Sequence, residues 1–268
     1  MLTDVLLTSA ANPRIKSVLA LRNRRDREAA GCTRLEGAEE LALALGAGVA
    51  PTTIFHCPEL MGDRTAGADL VAVARERGAR VFECSRAAFE KAAYREGPDG
   101  LLAIVPQPGV ELAALDVPAG PLVLLAQRIE KPGNLGAMLR TADAAGVAAV
   151  IAADPVTDWG NPNVIRSSKG TVFSVPVASA STAEAIGWVR ERGLTVVATT
   201  PDAVDRHTDA DLTGGIAVAV GSEKYGLDAE LFAASTVHVR IPMAGQADSL
   251  NASVAAAIVL FEAVRQRG

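Results

Sequence analysis

Three short segments in the second half of the chain carry residue types suited to ligand binding and group transfer. In KPGNLGAMLR (131–140), Pro132 and Gly133 interrupt the chain, and Asn134 suits the N-cap of a helix that starts at once. Arg140 sits six residues on, among Ala and Leu, where burying a guanidinium would demand an anionic partner. In VGSEKYGLD (220–228), Gly221 follows an apolar run, lets backbone approach a ligand closely, and leaves Glu223 at a strand end. In IPMAGQADSLNASV (241–254), Ser249, Asn251 and Ser253 crowd the start of an Ala-rich helix. One such residue would cap the helix; three suit hydrogen bonding to an amino-acid moiety or an adenine edge. Taken singly, each segment also reads as a plain cap, turn or helix start. A GxGxxG loop and a P-loop are both missing from the sequence, which counts against an ordinary dinucleotide or ATP site.

These segments need a scaffold, and the pattern around them alternates strands with helices. In the second half, strands are expected at 123–126, 147–152, 172–177, 194–199, 216–220 and 237–240. Helices are expected at 134–145, 162–169, 182–192 and 249–265. The uninterrupted apolar run 216–220 suits a parallel sheet covered on both faces, where ligands sit beyond the carboxyl ends of the strands. In the first half, helices at 38–45, 69–77 and 86–93 alternate with extended runs at 52–57, 80–84 and 100–105, a smaller α/β domain. Four prolines between 106 and 121 have the composition of a linker.

The chain has 268 residues, 49% of them hydrophobic, enough for real cores. Its apolar runs fall short of the roughly 20 residues of a membrane span, and residues 1–11 show no secretion leader. Cys32, Cys57 and Cys84, with the scattered His56, His207 and His238, make no metal-ligand spacing. No metal and no membrane are expected, and reduced thiols point to the cytoplasm. The net charge of −5 disfavours nucleic acid at first sight, but it is unevenly spread. Residues 12–34 hold seven basic side chains against two acidic ones, so the rest of the chain carries −10. Within that segment Arg22, Arg24, Arg25 and Arg27 are candidate phosphate contacts, with a solvated helix face as the equal alternative.

In order, NLGAMLRTADAAG, VAVGSEKYGLD and IPMAGQADSLNASVAAAI resemble the three signatures of the SpoU (TrmH) branch of SPOUT RNA 2′-O-ribose methyltransferases. The resemblance covers residues 120–268. Residues 34–108 resemble that family's L30e-like RNA substrate-binding domain, so 1–33 becomes a basic extension and 109–119 the linker. The two-domain layout and RSSKGTVFS (166–174) are similar to the thiostrepton and avilamycin resistance methyltransferases, which act on 23S ribosomal RNA. The resemblance implies an α/β fold with a parallel sheet, a C-terminal trefoil knot against the usual rule for chain threading, and an obligate homodimer. It implies S-adenosyl-L-methionine as cofactor and ribosomal RNA as partner. It assigns catalysis to Asn134, Arg140, Glu223, Ser249 and Asn251, and cofactor binding to Thr199, Gly221, Ile241, Met243 and Leu250. Arg166 matches an RNA-binding arginine that the partner subunit supplies in the resistance enzymes. The implied function is 2′-O-ribose methylation of 23S ribosomal RNA, with antibiotic resistance as its suggested role. Transfer-RNA methylation by the same fold and a non-catalytic RNA-binding assembly factor are the alternatives.

Overall fold

A computed structural model describes residues 5–268; the first four, part of the stretch read as lacking a secretion leader, lie outside the described residues. The chain divides into two units: everything up to Pro108 together with Asp158–Ser174, and Gly109–Thr157 together with Val175–Gly268.

The first unit opens with β1 (Val5–Leu7), α1 (Pro13–Ala20), α2 (Arg24–Ala30) and β2 (Cys32–Glu36). It continues through α3 (Ala38–Gly46), β3 (Thr53–His56), α4 (Arg64–Glu76), β4 (Arg80–Cys84), α5 (Arg86–Ala92) and β5 (Leu101–Pro106). The strands form one sheet in the order β1-β4-β3-β5-β2, with β5 antiparallel to both its neighbours. The basic segment is therefore two short helices and an edge strand. Ile15 and Val18 on one face of α1 are fully buried against Phe55, Phe89 and Leu102, which leaves the helix its polar face. Helix α4 starts five residues before its expected position, because the Asp63 carboxylate accepts from the Thr65 and Ala66 amides at 3.0 Å each.

The second unit begins with β6 (Leu122–Gln127), α6 (Pro132–Ala144) and β7 (Ala149–Ala153). The stretch from β7 to the next strand leaves this unit after Thr157, contributes α7 (Pro162–Ser167) to the first unit, and returns at Val175. Then come β8 (Val177–Ala180), α8 (Thr182–Glu191), β9 (Thr195–Thr199), β10 (Asp205–Arg206) and β11 (Ile216–Val220). Helix α9 (Ala229–Ala234), β12 (Val237–Arg240) and α10 (Ala252–Arg267) complete the chain. All seven strands are parallel, in the order β10-β12-β9-β11-β6-β7-β8. Every residue of β6, β7 and β11 is buried, as continuous apolar strands in a covered parallel sheet must be. From β6 the chain adds β7 and β8 on one side and later strands on the other, which creates a topological switch at β6 and β11.

Three expectations change. The 109–119 stretch, expected as a linker, is docked in the second unit: the Val110 amide bonds to the Val177 carbonyl at 2.9 Å, and Leu115 enters the core. Residues 158–174 group with the first unit although the boundary drawn from sequence placed them in the second. There Asp158 pairs with Arg27, the Thr33 hydroxyl donates to the Gly160 carbonyl at 2.6 Å, and Lys169 pairs with Glu39 at 3.0 Å. The strand expected at 172–177 begins only at Val177 and runs to Ala180, because Thr171–Phe173 form a 3₁₀ turn after Gly170 at φ +84°. The Thr171 hydroxyl, donating to the Ser168 carbonyl at 2.9 Å, supports that turn.

Candidate active site

Beyond the carboxyl ends of β9, β11 and β12, and against the start of α10, the second unit holds a cleft of about 700 Å³. Thr199, Gly221, Ile241, Met243 and Leu250 all line it, as do Glu223 and Ser249. Its size suits a small-molecule ligand. Ile241, Met243 and Leu250 give apolar walls, while the Thr199 hydroxyl is buried there without a hydrogen-bond partner. An orphaned donor in an apolar cleft is what an adenosine-bearing cofactor with hydrogen-bonding edges would satisfy.

The Glu223 turn is held by its own backbone. Ser222 and Gly226 exchange two amide–carbonyl bonds of 3.1 and 2.9 Å, with Gly226 at φ +66°. A side chain on Gly221 would collide with the backbone of Gly226 and Leu227. Glycine is thus required there for the turn's own closure, whereas the sequence suggested a ligand's approach.

Asn134 is not a helix cap. Helix α6 starts two residues earlier, with Lys131 as N-cap and Pro132 in the first turn. The Asn134 side chain is therefore released to the cleft rim. Its Nδ2 donates to Glu223 Oε1, and its Oδ1 accepts from Asn251 Nδ2 at 3.2 Å. Asn251 does cap α10, its Oδ1 accepting from the Ser253 amide at 3.0 Å. Three separate segments thus meet in one chain, Asn251 to Asn134 to Glu223. Ser249 lies outside the helix, in an exposed loop that runs from Pro242 to Leu250. Arg140 is also exposed, contrary to the burial its apolar neighbours suggested, and the described residues give it no hydrogen-bond or ion-pair partner. The apolar positions of α6 face inward instead: Leu135, Met138, Leu139 and Ala142 are buried.

A second polar cluster, at the ends of β6 and β7, escaped sequence reading. Gln127 is fully buried; its Nε2 donates to Thr182 Oγ1 at 2.7 Å and its Oε1 accepts from the Asp228 amide at 2.9 Å. Arg128 pairs with Asp154 at 3.1 Å and with Asp228 at 3.4 Å. Burial raises the Asp154 pKa, but hydrogen bonds from Thr182 and Arg128 outweigh it and hold the carboxyl below its usual range. Arg128 and Asp154 stand at φ +51° and +47°, a left-handed conformation that costs non-glycine residues energy. Together these groups tie the Glu223 turn, through Asp228, to two strand ends. The one sequence signal was a glutamine closing the apolar strand LVLLAQ.

The arginines named as phosphate contacts divide. Arg27 is 1% exposed; its Nη2 and Nε donate to the Asp158 carboxylate at 2.5 and 3.1 Å, and its Nη1 to the Leu21 and Arg22 carbonyls. It is a structural pin and cannot reach a phosphate. Arg22 donates to the Ala93 carbonyl at 2.7 Å, Arg24 pairs with Glu28 on the surface, and Arg25 and Arg166 are exposed. Among the described residues no group of three or more His, Cys, Asp or Glu is placed to hold a metal ion, and no helix is long and apolar enough to cross a membrane.

An all-parallel α/β sheet with its cleft beyond the carboxyl ends of its strands defines a ligand-binding α/β protein. Comparison with known proteins makes this specific. Residues 121–261 match the SpoU rRNA Methylase family, and residues 12–103 an MRM3-like substrate binding domain. A 23S rRNA (uridine(2479)-2′-O)-methyltransferase of Streptomyces viridochromogenes is 33% identical over 92% of this chain and 87% of its own. The AdoMet-bound rRNA methyltransferase from Sinorhizobium meliloti superimposes with a TM-score of 0.89 at 31% identity, over 97% of each chain. A structure described as an RNA 2′-O ribose methyltransferase gives 0.86 at 40% identity, over 98% of this chain and 99% of that one. The chain belongs to the SpoU rRNA methylase family.

Proposed function

We propose that this chain transfers the methyl group of S-adenosylmethionine to a ribose 2′-hydroxyl of ribosomal RNA, 23S RNA in particular. The observation that carries the reading is the cleft itself, where five cofactor candidates, Glu223 and Ser249 converge at the parallel strand ends. The relatives covering nearly all of this chain support it, being named as ribosomal RNA or RNA 2′-O methyltransferases.

S-adenosylmethionine supplies an electrophilic methyl group on a sulfonium. The chain's own residues then have two tasks, aligning the hydroxyl in line with that methyl and stabilising the oxygen as it loses its proton. Ile241, Met243 and Leu250 would hold the cofactor in apolar contact, and Thr199 would offer it a hydroxyl. Glu223, fixed by Asn134 and Asn251, and Ser249 orient the reacting groups. Arg140 holds the substrate phosphate and favours the alkoxide, while the hydroxyl proton passes to bulk water at the open rim of the cleft. A guanidinium is a poor proton acceptor at neutral pH, so Arg140 acts as an electrostatic clamp in this scheme. Its exposure, and its lack of a partner among the described residues, leave it available to RNA.

The reading includes a homodimer, and an exposed apolar stripe on and before α10 supports one: Leu250, Val254 and Phe261 are 36%, 45% and 47% exposed. It also includes the family's trefoil knot and a cytoplasmic location beside the ribosome. Radiolabelled S-adenosylmethionine, offered with 23S ribosomal RNA or with transfer RNA, tests the substrate. Label on 23S RNA is expected; label on transfer RNA alone would move the reading to that substrate. No label on either, with no cofactor binding by calorimetry, would leave a non-catalytic RNA-binding protein.

A further inference from the structure

Away from the cleft, the first unit contains a second pocket with a different chemistry. Arg34, Glu36, Tyr94, Arg95, Pro162, Ile165 and Arg166 line it. Arg34 on β2 is 1% exposed. Its Nη2 is satisfied, donating to Glu36 Oε2 at 3.0 Å and to the Ala92 carbonyl at 2.7 Å. Its Nε and Nη1 are buried without any hydrogen-bond partner, and so is the Nε of Arg95. A buried guanidinium with two idle donors is rare, because unpaired buried polar groups are costly.

Glu36 does not cure the deficit. Its Oε2 also accepts from the Tyr94 amide at 2.7 Å, and it stands 3.8 Å from Arg95 Nε, beyond hydrogen-bond reach. The second carboxylate nearby, Asp99, is taken by Arg95 Nη2 at 2.7 Å. Four arginines (22, 34, 95 and 166) therefore gather around Tyr94 with two acids to balance them. Arg22 and Arg34 lie over the Tyr94 ring at 5.7 and 5.8 Å, and the residue is 40% exposed. Its hydroxyl is fixed by Asn163 Nδ2 at 3.1 Å. Burial first, then the charge of Arg22, push the Arg34 pKa down to about 10 against the pull of Glu36. The charge of an added anion would offset both. About 20 Å³ is free inside the pocket, room for one oxygen-sized centre.

We propose that this pocket binds a phosphodiester of the RNA substrate, one non-bridging oxygen entering against Arg34 while Arg95 and Arg166 take the rest of the group and Tyr94 packs beside the nucleotide. The guanidinium fork matches phosphate geometry, and an exposed aromatic ring beside it is a common way to hold an unstacked base. This rests on the RNA reading of the protein above, and adds a subsite outside the methyl-transfer cleft.

The full-length protein and a single-stranded fragment of 23S RNA test it. Arg166→Gln and Arg95→Gln should each weaken RNA binding about tenfold at ~0.1 M salt, and lower the slope of log affinity against log salt by about one. Affinity for S-adenosylmethionine should stay the same. Since Arg34 variants put folding at risk, the wild-type Arg34 Nε–H resonance gives an independent readout. It should shift on adding RNA and, more weakly, on adding inorganic phosphate. Unchanged salt slopes together with an unmoved resonance would overturn the proposal and leave the pocket to a bound water. Wild-type protein that bound no RNA at all would instead defeat the functional reading beneath it.

Discussion

Two polar regions of this molecule are built in opposite ways. Around the cleft of the second unit, Asn134, Glu223 and Asn251 are bonded chiefly to one another, on loops and helix starts open to solvent. In the first unit, Arg27 is 1% exposed and bonded to the carboxylate of Asp158, 131 positions away, and to two backbone carbonyls. A charge without water must be paired, so a buried arginine becomes part of the framework. A polar group left at a rim keeps its hydrogen-bonding capacity for a ligand. Residue type alone does not separate these fates; burial and partner do.

Arg27→Ala probes the framework side and should have the largest effect. It strands Asp158, whose side chain is only 14% exposed, and removes the bonds to Leu21 and Arg22. Breaking such a pair costs about 3–5 kcal/mol, which urea unfolding would measure. Arg140→Ala probes the opposite side. Its stability should change by less than about 0.5 kcal/mol, as for most exposed positions. Its turnover under saturating RNA should fall about 10²–10³-fold, as when a transition-state donor is removed. Arg140→Lys restoring most of the rate would show that charge suffices; full activity in the Ala variant would end its assigned role.

Gln127→Leu lies between these extremes. It removes the two bonds joining Thr182 to the Asp228 amide and should cost about 1–3 kcal/mol. Because Asp228 ends the Glu223 turn, the KM for S-adenosylmethionine should also rise. A stability loss with unchanged KM would confine Gln127 to a framework role. The smallest effect is expected from replacing Arg24 and Arg25 together with Ala. Stability should barely move, since the Arg24–Glu28 pair is a surface one. RNA affinity should drop and its salt dependence flatten. An unaltered slope would show that these two arginines are only a solvated face.

Much of the scaffold was legible because its signals are local. The apolar runs of β6 and β11 need only their own composition to declare a covered parallel strand. The cleft loops were visible through residue order and spacing. What stayed hidden depends on contacts far along the chain. Arg27 meets Asp158 across 131 positions, and that pair helps to turn a presumed RNA contact into a pin. Nothing in the sequence marks Arg128 and Asp154 for positive φ, since neither is glycine. Asn134 looked like a cap because Pro132 was read as a break, whereas proline fits the first turn of α6. Arg140 looked buried because its neighbours are apolar, yet on a helix those neighbours point elsewhere.

The central claim is methyl transfer to a ribose oxygen in the cleft of the second unit. It is tested most directly by digesting 23S ribosomal RNA to nucleosides after incubation with the protein and S-adenosylmethionine, then locating the new methyl by mass spectrometry. The wild type should yield a 2′-O-methylated nucleoside and Arg140→Ala almost none. A methyl group on a base, or equal yield from the two proteins, would contradict it.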